Sequence, residues 1–106
     1  MSIAKRLLSG DGFAFETVSI ADTAIGFTSA TYGATGSPHL RAVVTALGGV
    51  MRYRYDGGNP TSTVGHLLSH GDMIIVEGGV NVSKFRAIRA GTQNGILSVT
   101  YEAVHG

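Results

Sequence analysis

From residue 13 onward, short apolar segments alternate with turn residues at intervals of about 8–12 positions, the spacing of an all-β sandwich or barrel. Nowhere do apolar residues hold a helical period of about 3.6 for three turns. The clearest unit runs from Arg41 to Asp56. Gly48-Gly49 fits a two-residue hairpin loop, because both positions tolerate positive φ. That loop predicts Leu47 opposite Val50, Ala46 opposite Met51, Val44 opposite Tyr53 and Arg41 opposite Asp56. Alternation then places Ala42, Val44, Ala46, Met51, Tyr53 and Tyr55 on one inward face, with Arg52 and Arg54 on the other.

Asn94-Gly95 predicts a second hairpin, with Ile88 opposite Tyr101, Ala90 opposite Val99 and Thr92 opposite Leu97. Ser98, Thr100 and Glu102 fall on its other side. Met73-Ile74-Ile75-Val76 is apolar at every position, which predicts a strand covered on both faces by the sandwich or by a neighbouring subunit. Phe13–Ile20 and Thr23–Thr28 supply one or two earlier strands, and 32–39 reads as a loop. Phe85 and Ile88 are expected in the core. The expected architecture is an all-β, single-domain antiparallel β-sandwich over residues 13–106, jelly-roll or Ig-like, preceded by a short N-terminal arm at 1–12.

Composition sharpens this picture. The chain has 106 residues, no Cys and no Trp, 14% charged residues and a net charge of +1. Ordinary soluble domains carry about 25% charged residues, so part of this surface is expected to face other protein, as in a homo-oligomer or a larger assembly. The near-neutral balance speaks against nucleic acid or an anionic membrane surface as partner, and no apolar run approaches the roughly 18 residues of a membrane span. Absence of cysteine removes disulfides, thiolate metal sites and a cysteine nucleophile. In the arm, Lys5-Arg6 is followed only by Leu7 and Leu8 before Ser9-Gly-Asp-Gly12, short of the about 7–15 apolar residues of a secretory leader. Leu7 and Leu8 are instead candidates for docking on a neighbouring subunit.

Reactive chemistry is thin. His66 and His70 have the spacing of a helical metal pair, but Gly65 and Gly71 bracket them and no third ligand follows by spacing. The expectation is no metal, with His66 partly buried and hydrogen-bonded and His70 in a turn. No GxSxG elbow, paired carboxylates or phosphate-binding glycine loop followed by a helix is present. Arg52, Arg54, Arg86 and Arg89 interleave with tyrosines. The inward register of Tyr53 and Tyr55 separates ring from charge, so these arginines, with His66, read as polar inter-subunit contacts rather than a nucleic-acid platform. In Asp56-Gly-Gly-Asn-Pro60, the aspartate is expected to cap backbone N–H groups and glycine to supply unusual φ.

Four segments carry a resemblance: Thr23–Gly33; Met51–Thr61, with its R-x-R-x-DG strand and turn; Val64–Asp72, within PT-x-x-x-GHLL; and Phe85–Gly91, with FRAIR. Together they resemble a family of small phage-encoded structural proteins that sit among the head and tail genes of tailed phages. The likeness covers roughly residues 15–102 of the sequence. It implies a non-enzymatic virion protein, assembled in the host cytoplasm, without cofactor. Its partners would be the major capsid protein or other virion structural proteins, and its role capsid decoration or cement. The alternatives are a neck, tail or fibre-base subunit and, from another class, a small carbohydrate- or ligand-binding β-module.

Overall fold

The computed structural model describes residues 9–33 and 39–105. Among these residues, seven strands form two antiparallel sheets: β1 (Ser9–Ile20), β2 (Leu40–Gly48), β3 (Met51–Arg54), β4 (His66–Leu68), β5 (Met73–Glu77), β6 (Arg86–Arg89) and β7 (Gly95–His105). The larger sheet has the order β1-β7-β2-β5 and the smaller one β4-β3-β6. Among the same residues, two short helices, α1 (Ser29–Tyr32) and α2 (Gly79–Lys84), punctuate the strands. The fold is the all-β, two-sheet sandwich that the turn spacing predicts.

Side-chain alternation holds along β2 and β7. Ala42, Val44 and Ala46 pair with Tyr101, Val99 and Leu97, and all six are buried. Met51, Leu68, Phe85 and Ala87 meet them from the smaller sheet. The core is therefore the inner faces of both sheets, as period-2 burial requires.

The pairing differs from both predicted hairpins. β2 pairs with β7 and β5, while β3 pairs with β4 and β6, so Gly48-Gly49 is a corner at which the chain leaves one sheet for the other. Asn94-Gly95 is a second such corner, carrying the chain back from β6 to β7. The two lie side by side: Gly48 pairs with Gly95 and the Gly49 N–H donates to the Asn94 carbonyl at 3.1 Å. A Cβ on Gly49 would lie 2.2 Å from the Gln93 carbonyl oxygen, and one on Gly95 2.5 Å from the Met51 sulfur. These glycines serve close approach between corners rather than hairpin turns.

Other corrections follow from the pairing. Ala87, not Ile88, is the buried residue of β6, because β6 aligns with β3 instead of β7. Arg41 does not face Asp56. It lies buried on β2, with its Nε donating to Glu102 at 2.6 Å, and Asp56 pairs with Arg54. Residues 9–12, expected in the arm, belong to β1 and pair with β7; Leu7 and Leu8 lie outside the described residues. Residues 34–38 of the predicted 32–39 loop also lie outside them, and Tyr32 is buried at the end of α1. The Thr23–Thr28 strand reduces to one bridge, Ile25 with Ala87, which lets this segment close the sandwich beside β6. β5 is an edge strand, and Met73 is 62% exposed rather than covered.

Candidate functional site

The outer face of the larger sheet can be read row by row from the register. One row runs Phe15, Thr100, Val43, Ile75; the next runs Thr17, Ser98, Thr45, Met73; a third holds Ser19, Ile96 and Leu47. None of these positions is charged. The charges on this face gather at one end, where Arg41 binds Glu102 and lies 4.0 Å from Glu77. Phe15 is 62% exposed, and Phe13, Leu47 and Ile96 are exposed with it. A sheet face turned to water normally alternates with polar and charged side chains, so the 14% charge content has a location.

The four candidate arginines are held within the chain. Arg52 donates from Nε to the Ser62 carbonyl at 3.1 Å and from Nη1 to the Gly65 carbonyl at 2.8 Å, fastening the long loop between β3 and β4. Arg54 grips Asp56 with two bonds, 3.0 and 2.6 Å. Arg86 donates to the carbonyls of Ser83 and Phe85, and Arg89 to the Asn94 side chain at 2.7 Å. Arg52, Arg54 and Arg86 share the outer face of the smaller sheet, and Arg89 is at the corner. Each guanidinium thus spends donors on its own chain's turns.

The Asp56 turn follows the sequence expectation. Its carboxylate also accepts the Gly58 N–H, and Gly57 has φ +92°. The hydrogen bonds from Arg54, then that from Gly58, hold the Asp56 carboxyl down at about 2. A depressed folded-state value means that this turn's contribution is present above the ordinary aspartate range, near pH 3.9, and is lost as pH falls toward 2. An NMR titration of Asp56 in the folded chain should therefore show a midpoint near 2; an ordinary aspartate midpoint would contradict the grip by Arg54.

A chain of rings runs from the core to the surface. Phe27 stacks on Phe85 at 4.3 Å, Phe85 on Tyr53 at 5.5 Å, Tyr53 meets His66 at 5.2 Å, and His66 lies 6.3 Å from Tyr55. Tyr53 does turn inward and is partly buried; burial, with Tyr55 nearby, raises its hydroxyl pKa. Tyr55 lies one residue past the end of β3 and is 46% exposed, against the inward expectation. His66 is exposed at the start of the short edge strand β4, not partly buried and hydrogen-bonded. His70 is the turn residue expected, and its Nδ1 accepts the Gly48 N–H. The two histidines are not brought together. Among the described residues, no group of three or more His, Asp or Glu is placed to hold a metal ion, and no helix is long and apolar enough to cross a membrane.

Tyr53 and Tyr55 form one wall of a cleft of about 400 Å³ whose other wall is the consecutive run Ile74, Ile75, Val76 and Glu77 of β5, with Asn81 at its end. Four successive residues of one strand can line a groove only if the strand's edge faces it. The β5 lining and Asn81 escaped the sequence reading. The available signal was Met73–Val76 itself, apolar on both faces because it is an edge beside a cleft. Glu16 was also missed: its carboxylate accepts the Tyr101 hydroxyl and the Thr28 N–H, tying β1 to the segment before α1. Burial and that bond push the Tyr101 hydroxyl far above the ordinary tyrosine range.

Comparison of the chain with models of known protein families, with curated proteins and with solved structures finds no significant match.

Proposed function

We propose that this chain is a non-enzymatic structural subunit of a tailed-phage particle, a capsid-decoration or cement protein that covers and stabilises the head. The observation that carries this reading is the uncharged outer face of the larger sheet, with Phe15, Ile96, Leu47 and Met73 exposed on a chain of low charge. Such a face gains free energy when another protein excludes water from it. The resemblance of the R-x-R-x-DG, GHLL and FRAIR segments to phage structural proteins supplies the partner, the major capsid protein, and the location, the virion. The mechanism is linkage: a subunit that binds only the assembled shell adds its binding free energy to that shell. Arg52, Arg54 and Asp56 act as turn staples that hold the loop in shape for assembly.

Recovery of the chain with particles through repeated density banding tests the reading. Retention supports it, and quantitative release as a free soluble protein overturns it. The exposed Tyr55 beside His66 gives a second reading, a saccharide-binding module, because a sugar ring stacks on an accessible aromatic face. Binding on a glycan array by a chain absent from particles would favour it.

A further inference from the structure

Among the described residues, the edges of the two sheets are not equivalent. β1 carries a register shift between Gly12 and Ala14, β4 has only three residues, and β6 is covered by Ile25, which exchanges backbone bonds with Ala87 in both directions. Bulges, short edges and covered edges are the devices that keep a sheet from pairing with another chain. β5 has none of them: its five residues pair with β2 without a shift and include neither proline nor lysine. Ala46 N–H donates to the Asp72 carbonyl and Gly78 N–H to the Leu40 carbonyl. Antiparallel alternation therefore turns the backbone groups of 72, 74, 76 and 78 toward β2, and those of Met73, Ile75 and Glu77 away from it. Among the described residues no strand pairs with that outer side. The Glu77 carbonyl accepts the Asn81 side chain at 3.0 Å, which leaves the Met73 carbonyl, the Ile75 N–H and carbonyl and the Glu77 N–H aimed outward.

We propose that this edge pairs antiparallel with the β5 edge of a second copy of the chain, about a two-fold axis at Ile75. The inference goes beyond the virion reading and does not depend on it. The edge is complementary to itself in backbone, side chains and charge. Ile75 is central among the outward residues, so the two-fold register sets Ile75 opposite Ile75 and Met73 opposite Glu77. The two Ile75 residues exchange both N–H···O bonds, and each Glu77 N–H reaches the Met73 carbonyl of the other copy. On the inner face the same register sets Ile74 opposite Val76, which joins the apolar walls of the two tyrosine clefts. On the outer face, the uncharged row Phe15, Thr100, Val43, Ile75 continues through Ile75 of the other copy. Glu77 is the one charged residue of β5; its side chain is 58% exposed and lies 4.0 Å from Arg41. The two-fold register places it beside an uncharged Met73 and keeps the two carboxylates at opposite ends of the paired strands. Parallel pairing would bring them side by side, an unfavourable like-charge contact. Because both copies offer the same edge, the contact is isologous and closes at a dimer.

The test is sedimentation equilibrium of the full chain, with amide hydrogen exchange as a second readout. A single five-residue edge buries less than the about 1,200 Å² of a standard interface, so the dimer should form in the high-micromolar range. As it forms, exchange should slow at the Ile75 and Glu77 N–H groups and stay unchanged at Ile74 and Val76, which already face β2. Ile75→Pro removes an outward N–H that β2 does not use, and should weaken the dimer about tenfold or more. Met73→Lys sets a cation opposite Glu77 of the other copy on both sides of the axis, and should strengthen it about threefold. Phe15→Lys, on the outer face at the far edge of the sheet, should leave it unchanged. A chain monomeric at about millimolar concentration, a dimer retained by folded Ile75→Pro, or a dimer lost in Phe15→Lys would overturn the proposal. Should Ile75→Pro fail to fold, Met73→Lys decides: a stronger dimer upholds the register and an unchanged or weaker one overturns it. A chain bound to particles yet monomeric in solution would sink this inference alone. An edge-dependent dimer of a chain absent from particles would uphold it and sink the virion reading.

Discussion

Replacing Phe85 with alanine is expected to lower the unfolding free energy by about 3–5 kcal/mol, the range for truncating a buried aromatic. Phe85 is fully buried and stacks on Phe27 on one side and Tyr53 on the other. Truncation therefore removes packing on both faces as well as transfer free energy. A domain of this size has roughly 5–15 kcal/mol in total, so the variant should sit close to its unfolding midpoint under conditions where the wild type is stable. Chemical denaturation followed by circular dichroism measures it. Tyr55→Ala, at the exposed end of the same ring chain, should change stability by only about 0.5 kcal/mol. A loss below about 1 kcal/mol for Phe85→Ala would mean that the ring chain is not anchored in the core.

Gly49→Ala is expected to cost about 1–3 kcal/mol, through an added methyl that has nowhere to go. The new Cβ would stand 2.2 Å from the Gln93 carbonyl oxygen and 2.8 Å from its carbonyl carbon. These are backbone atoms of the adjoining corner, so relief requires the two sheet-crossing corners to separate and the bond from Gly49 N–H to Asn94 to lengthen. Gly91→Ala is the control: nothing lies within 4 Å of its Cβ position and its φ is ordinary. It should fall within about 0.5 kcal/mol of wild type. Equal stabilities for the two variants would show that the corners do not pack as described.

These corners also show how far the sequence can be read. Alternation assigned Ala42, Val44, Ala46, Met51, Leu97, Val99 and Tyr101 to the core correctly, because period-2 burial is a property of each strand by itself. Pairing is a property of two strands, and Gly48-Gly49 and Asn94-Gly95 satisfy a sheet-crossing corner as readily as a hairpin. What distinguishes the two is the packing of one corner on the other, between segments more than forty residues apart. Ile88 was lost with the hairpin, since its inward phase depended on pairing with Tyr101. The Asp56 turn was legible because its chemistry is local: carboxylate, glycine and arginine within a few residues. The cleft was only half legible. Tyr53 and Tyr55 were assigned to one face, but that Tyr55 lies beyond the strand end, beside the β5 edge, follows from the order of strands in two sheets.

The measurement that most directly tests the central claim is the copy number of this chain in purified particles, set against the major capsid protein by quantitative mass spectrometry. A decoration subunit predicts a number in the hundreds that scales with the shell. About a dozen copies would move the chain to the neck, tail or fibre base, and none would contradict a structural role in the virion.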